Sequence, residues 1–151
     1  MPTVADTNEL DNKKYNVIKK NMFVFSGMQT GRDVCIRLAL YTNDSPALIS
    51  PAYTSFIIKD NVKVLPEYFF LHFCRFEMDR YGAFLSDGSI RSNLDWDRFC
   101  EIEIPPAPID VQRSISTVAH CLFEAKRIVA DARELMKNIC PVLVQKAAHS
   151  A

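Results

Sequence analysis

Two glycine-bearing stretches of the 151-residue chain concentrate side chains that hydrogen-bond in pairs. The first, Ser26 to Asp33, carries Gln29, Thr30 and Arg32; the second, Ser86 to Asn93, carries Ser86, Ser89, Arg91, Ser92 and Asn93. Arginine sets two parallel donors on a guanine edge or a phosphate, and glutamine or asparagine offers the donor and acceptor that adenine requires. Gly27 and Gly31 would let backbone approach a phosphate closely. Lys19, Lys20, Lys59 and Lys63 lie in predicted turns and are candidate phosphate contacts. The plainer alternative is that the lysines are solvated, and that Arg32 pairs with Asp33 and Arg91 with Asp87 or Asp95. Such surface ion pairs contribute little.

Covalent and metal chemistry find no support. No Gly-x-Gly-x-x-Gly turn, Gly-x-Ser-x-Gly elbow, His-Glu-x-x-His pair or Walker loop occurs. Glu101 and Glu103 bracket one residue, as do Asp95 and Asp97, but the lysine that follows such a pair in a nuclease core is missing. We expect no enzymatic activity and no cofactor. The five cysteines (35, 74, 100, 121 and 140) are scattered, and no Cys-x-x-Cys occurs. Tetrahedral zinc sites need tighter ligand pairs, so no metal is expected, and the cysteines read as buried free thiols of a reducing, cytoplasmic compartment. Eighteen basic residues balance eighteen acidic ones. Phosphate neutralisation drives affinity for duplexes, so this balance argues against tight independent DNA binding while allowing a local basic face. No apolar run reaches the roughly 20 residues of a bilayer span, and residues 1–14 lack the apolar centre of a secretory signal, so no membrane contact is expected.

The elements that must position the polar stretches are short. Residues 1–14 read as a flexible N-terminus. Tyr15 to Ile18 and Met22 to Phe25 are expected to form a strand pair around Lys19-Lys20-Asn21. Val34 to Tyr41 alternates, with Val34, Ile36, Leu38 and Leu40 on one face and Cys35, Arg37 and Ala39 on the other. Short strands follow at Ala47 to Ile49 and Tyr53 to Ile58, with Ser50-Pro51 and Tyr53 as a rigid entry. A helix is predicted over Pro66 to Arg80, its core stripe formed by Phe69, Phe70, Phe73, Phe76 and Tyr81, and His72 is expected to be an ordinary helix residue. Trp96 should pack at the base of the second polar stretch. A short strand is predicted over Glu101 to Ile104, and then Pro105-Pro106-Ala107-Pro108 stops any ladder or helix. From Asp110, a candidate N-cap, a helix runs to Cys140, where Pro141 should end or kink it. Ile115, Val118, Leu122, Ala125, Val129, Ala132, Met136 and Ile139 keep a strict three-four alternation along it. That narrow seam suits a coiled coil, and with no second such helix in the chain the partner is expected from another chain.

The expected architecture is therefore α+β: a small mixed or antiparallel sheet with a packed helix over residues 15–104, a Pro-rich joint at 105–109, a long coiled-coil-type helix at 110–140 and a tail at 141–151. This order resembles the specificity subunit of type I restriction-modification systems. In that family a target recognition domain ends in a strand, a Pro-rich joint of the form "iPlPPl.eQ" and a spacer helix. This chain keeps Pro105, Pro106, Pro108, Gln112 and Ile115 of that joint, and earlier carries Phe25 to Arg32, Ile49 to Phe56 and Gly88 to Leu94 in the family's order. The resemblance runs from about Tyr15 to Ile139. It implies sequence-specific contact with double-stranded DNA through the 26–33 and 86–93 stretches, and a helix that docks methyltransferase and restriction subunits. Cleavage and methyl transfer belong to those subunits, which bring S-adenosylmethionine, ATP and magnesium. The chain departs from the pattern in two ways. The front of the domain looks shortened, and one domain with one helix stands where intact subunits have two of each. A homodimer through the helix would restore the two-domain layout. The alternative expectation is a truncated paralogue that acts through protein pairing alone.

Overall fold

The structure is a computed structural model that describes residues 15–28, 36–59, 63–87, 92–105 and 107–149, with side chains in the last segment described to 137 and at 139. The expected N-terminal segment 1–14, Val34, Cys35 and Pro106 lie outside the described residues. Among the described residues five short strands come first: β1 (Asn16–Ile18), β2 (Phe23–Ser26), β3 (Arg37–Leu40), β4 (Ala47–Ile49) and β5 (Thr54–Phe56). Four helices follow: α1 (Pro66–Phe73), α2 (Phe76–Leu85), α3 (Trp96–Cys100) and α4 (Ile109–His149). The fold is α+β, with two small antiparallel sheets and a long C-terminal helix.

The expected β1–β2 pair does not form. β1 pairs antiparallel with β4, while β2 is the centre of a three-stranded sheet in the order β3-β2-β5. The turn between β1 and β2 explains the difference. Asn21 takes a left-handed backbone (φ 66°), and its N–H donates to the carbonyl of Tyr41 (2.9 Å), so the turn locks onto the end of β3 and sends β1 elsewhere. The alternation read for β3 holds over the described residues: Ile36 is buried, Leu38 and Leu40 are half-buried, and Arg37 and Ala39 are exposed.

The predicted helix over 66–80 is two helices. Cys74 and Arg75 contain no breaker, but the Arg75 guanidinium folds back, its Nε donating to the carbonyl of His72 (3.0 Å), and the Arg75 backbone is extended. This kink changes which face is buried. Phe69 and Phe73 stay in the core with Met78 and Leu85, whereas Phe76 and Tyr81, predicted inward, are 68% and 42% exposed. His72 is buried rather than ordinary; its Nε2 lies 3.1 Å from Arg75 Nη2.

The core is aromatic. Phe25 stacks on Phe99 (centroids 4.4 Å apart) and meets Trp96 (5.6 Å), while Phe23 stacks on Phe56 (5.1 Å). Each such contact contributes about 0.5–1.5 kcal/mol beyond the area it buries. Trp96 opens α3 and packs into this aromatic core against Phe25, Phe56 and Phe99. Residues 101–104 are not a strand. Ile102 and Ile104 pack inward and Glu103 faces out, yet among the described residues no strand pairs with them, and the Ile102 N–H donates to the Phe99 carbonyl. Cys74, between α1 and α2, Cys100 in α3 and Cys121 in α4 are exposed thiols rather than the buried ones expected. Burial first and Asp97 second push the Cys100 thiol above its usual range.

Candidate nucleic-acid interface and partner helix

The two polar stretches spring from one root. β2 runs into Gly27 and Met28, and Met28 forms an antiparallel bridge with Asn93. The Leu94 N–H donates to the Gly27 carbonyl at 2.8 Å. A Cβ built on Gly27 would lie 2.7 Å from both Asn93 Oδ1 and the Leu94 carbonyl oxygen, so this crossing needs glycine. On the other side the Asp87 N–H donates to the Asn93 carbonyl (3.1 Å), and the Asn93 N–H donates to Asp87 Oδ1 (2.7 Å). Below, Leu94 is fully buried, and Arg98 Nη1 donates to the Leu85 carbonyl (2.7 Å). Met28, which leads into the 29–35 segment, and Asp87 and Asn93, on either side of the 88–91 segment, are therefore tied to one another at this crossing.

Of the predicted contact residues, Gln29, Thr30, Arg32, Ser89 and Arg91 lie outside the described residues. Ser92 is half-buried, and Asn93 is exposed, with its backbone N–H and carbonyl both bonded to Asp87. Lys19 and Lys20 are not brought to the root. They sit in the turn that precedes β2, at the far end of that four-residue strand, which spans about 13 Å at roughly 3.3 Å per residue. Lys20 is also taken up by Asp44 (Nζ–Oδ1 2.6 Å).

The arm is fastened at the end where those lysines lie. The Gln112 N–H donates to the Pro108 carbonyl (3.0 Å), so α4 begins just past Pro108 and Asp110 is a first-turn residue rather than the N-cap. There its carboxylate favours the helix dipole. Gln112 is 1% exposed, and its side chain joins two residues distant in sequence and one from the Pro-rich joint. Its Oε1 accepts from the Leu65 N–H (2.9 Å), and its Nε2 donates to the carbonyls of Lys63 (2.9 Å) and Ala107 (2.8 Å). Leu65 is the N-cap of α1 and has no side-chain cap of its own, so one amide closes the start of α1, the Pro-rich joint and the first turn of α4. Sequence reading found Gln112 only as part of a motif; nothing local marks it as buried.

Beyond Gln112 the arm meets α1 and the end of β3 around a cavity of about 180 Å³ lined by Leu40, Phe70, Leu71, Ser116, Ala119 and Phe123. The heptad seam is a different face and is open. Ile115, Val118, Leu122, Val129, Met136 and Ile139 are all exposed, Val118 to 69%, and Ala125 and Ala132 with them. The helix also outruns its predicted end. Its backbone continues through Pro141 to His149, giving a rod of about 60 Å at 1.5 Å per residue. Proline fixes a helical φ and costs the bond to the carbonyl four residues back, that of Lys137, an exposed residue whose carbonyl can turn to water. Among the described residues no group of three or more metal-ligating side chains occurs, and no helix is long and apolar enough to cross a membrane.

No protein-family model matches this chain, and no curated protein or solved structure matches it with significance.

Proposed function

We propose that this chain is a non-catalytic DNA-specificity module of a type I restriction-modification system, in which a target-recognition head reads one half of a split DNA target and an arm docks the methyltransferase subunits. The Gln112 tie carries the reading. The joint that suggested the family, Pro105 to Gln112, is the element that fastens a long helix to the head, with its glutamine buried at the junction. Two further features support it. The two stretches rich in base-reading side chains share one root, so their residues could address one stretch of groove. The heptad seam is apolar and uncovered, as a helix awaiting a second helix requires. In this mechanism Arg32, Arg91, Gln29 and Asn93 discriminate bases while Thr30, Ser89 and Ser92 fix register. The arm sets the distance to a second recognition unit, supplied by another copy or an intact specificity subunit. Cleavage and methyl transfer are left to the partners.

The test is selection of bound sequences from a random duplex pool, by the full chain together with a methyltransferase subunit. A split consensus is expected, and Arg91→Ala should weaken binding to that consensus more than to random duplex. Equal loss on every sequence would refute base reading at Arg91. Zero net charge and the distance of Lys19 and Lys20 from the root favour the rival, a paralogue that acts through protein pairing alone. A stable complex with the methyltransferase subunit that shifts no DNA even at low salt would select that rival.

A further inference from the structure

The cavity where the arm meets the head holds an unspent hydrogen-bonding group. Its walls come from three elements: Leu40 from β3, Phe70 and Leu71 from α1, and Phe123 from α4. These are hydrocarbon walls with two phenyl rings among them. The volume, about 180 Å³, is close to the roughly 150 Å³ of an apolar cavity that stays dry and takes up benzene. Ser116, on the arm, also lines it. Its Oγ is buried and has no hydrogen-bond partner among the described residues. Neighbouring hydroxyls behave otherwise. Ser114 Oγ donates to the Asp110 carbonyl and Thr117 Oγ1 to the Arg113 carbonyl, each at 2.9 Å along the helix. A buried hydroxyl without a partner opposes folding unless something supplies one. The remaining polar lining, Thr42, Glu67 and His120, is exposed and marks the open side.

We propose that this cavity is a binding site for a small uncharged molecule with a flat aromatic body and one hydroxyl, and that the bound molecule fastens the arm to the head. The body lies against Phe70 and Phe123 in offset or edge contact, and the two leucines cover the rest of it. The ligand's hydroxyl meets Ser116, which can donate or accept. Water is a poor occupant, because a buried water needs two to four polar partners and the interior offers one. Glu67 at the opening disfavours a carboxylate ligand by repulsion of like charges. The walls belong to both α1 and α4, so the molecule binds only the closed junction and stabilises it by mass action. Ser116 lies one helical turn beyond Gln112, so the site and the glutamine tie act on the same joint.

The experiment titrates the full chain with phenol, toluene and benzoate, read by amide chemical shifts and by melting temperature. Phenol should shift the amides of Phe70, Leu71, Ser116 and Phe123 saturably, and raise the melting temperature by about 3–6 °C at a ten-fold excess over its dissociation constant. Toluene lacks the hydroxyl and should bind about two- to ten-fold more weakly, the equivalent of one hydrogen bond. Ser116→Ala should bring phenol down to the affinity of toluene and leave toluene unchanged. Ala119→Leu extends a side chain into the cavity and should abolish binding of both, with circular dichroism reporting whether the variant is folded. Absence of saturable shifts with phenol in the wild type, as for a cavity that holds only water, overturns the proposal. So does equal affinity for phenol and toluene, benzoate binding as tightly as phenol, or phenol affinity unchanged in Ser116→Ala. Shifts that persist in a folded Ala119→Leu variant place the probe elsewhere and overturn it too. The DNA-reading proposal stands or falls separately.

Discussion

Replacing Gln112 with alanine should unlock the arm from the head. The side chain satisfies one backbone donor, Leu65 N–H, and two backbone acceptors, Lys63 and Ala107. A net contribution of about 1 kcal/mol per hydrogen bond gives about 3 kcal/mol for the set, and more where water cannot replace the lost partner. Against a domain stability of about 5–15 kcal/mol that is a large fraction, equivalent to a fall in melting temperature on the order of 10 °C. Urea titration followed by circular dichroism measures the total. Amide exchange assigns it, because the Leu65 N–H has Gln112 as its partner and should lose protection, while the β2 amides, bonded to β3 and β5, fall only with global stability. Gln112→Glu separates bonding from shape. Glutamate keeps the volume and the acceptor for Leu65 but sets carboxylate oxygens against two carbonyls, so at neutral pH it should cost at least as much as alanine. A loss below about 0.5 kcal/mol in Gln112→Ala, or a near-neutral Gln112→Glu, would refute the reasoning.

Three further outcomes follow from the same structure. Gly27→Ala forces a Cβ to 2.7 Å from the Leu94 carbonyl oxygen, and since backbone must move the variant should lose about 1–3 kcal/mol in urea titration. Leu122→Lys with Val129→Lys charges the exposed seam; light scattering should show the wild type self-associating at high concentration and the double variant monomeric, and a wild type monomeric throughout would oppose self-pairing. Burial first and the Arg75 guanidinium second hold the His72 imidazole below its ordinary 6.5. The fold favours the neutral ring and the unfolded chain binds the extra proton, so this contribution is complete above pH 6.5 and is lost as pH falls toward the lowered value. The urea midpoint should fall across that interval in the wild type and less in His72→Gln.

Local periodicity made much of this molecule legible. The alternation of Ile36, Leu38 and Leu40 and the three-four spacing from Ile115 to Ile139 each report which face is apolar, and that depends only on neighbours in sequence. What was not legible depends on distant partners. The kink at Cys74-Arg75 has no proline or glycine to announce it; it follows from an arginine side chain finding a carbonyl three residues back. The pairing of β1 with β4 is decided at the Asn21–Tyr41 bond, across nineteen intervening positions. Gly27 was visible as a loop glycine, but its reason, the close crossing of Asn93 and Leu94, joins segments more than sixty residues apart. Gln112 is the extreme case, a polar residue in an amphipathic helix whose burial is set entirely by Lys63, Leu65 and Ala107.

The three-stranded sheet separates the two tasks proposed for the chain. The arm packs near Leu40, at the Phe23 end of β2, since Leu40 pairs with Phe23. The shared root lies at the Ser26–Gly27 end. Residues that read a target could then change without disturbing the joint that sets its spacing, provided the two ends are energetically independent. That condition can be measured. Gly27 and Gln112 have no bonding partner in common and sit at opposite ends of the sheet. Mutations at sites more than about 7–10 Å apart without shared partners add to within about 0.3–0.5 kcal/mol. The double variant Gly27→Ala, Gln112→Ala should therefore lose the sum of the two single losses in urea titration. A coupling above about 1 kcal/mol would mean that strain at the root reaches the joint through the Phe23–Phe69 and Phe25–Phe99 contacts, and head and arm would then have to be treated as one cooperative unit.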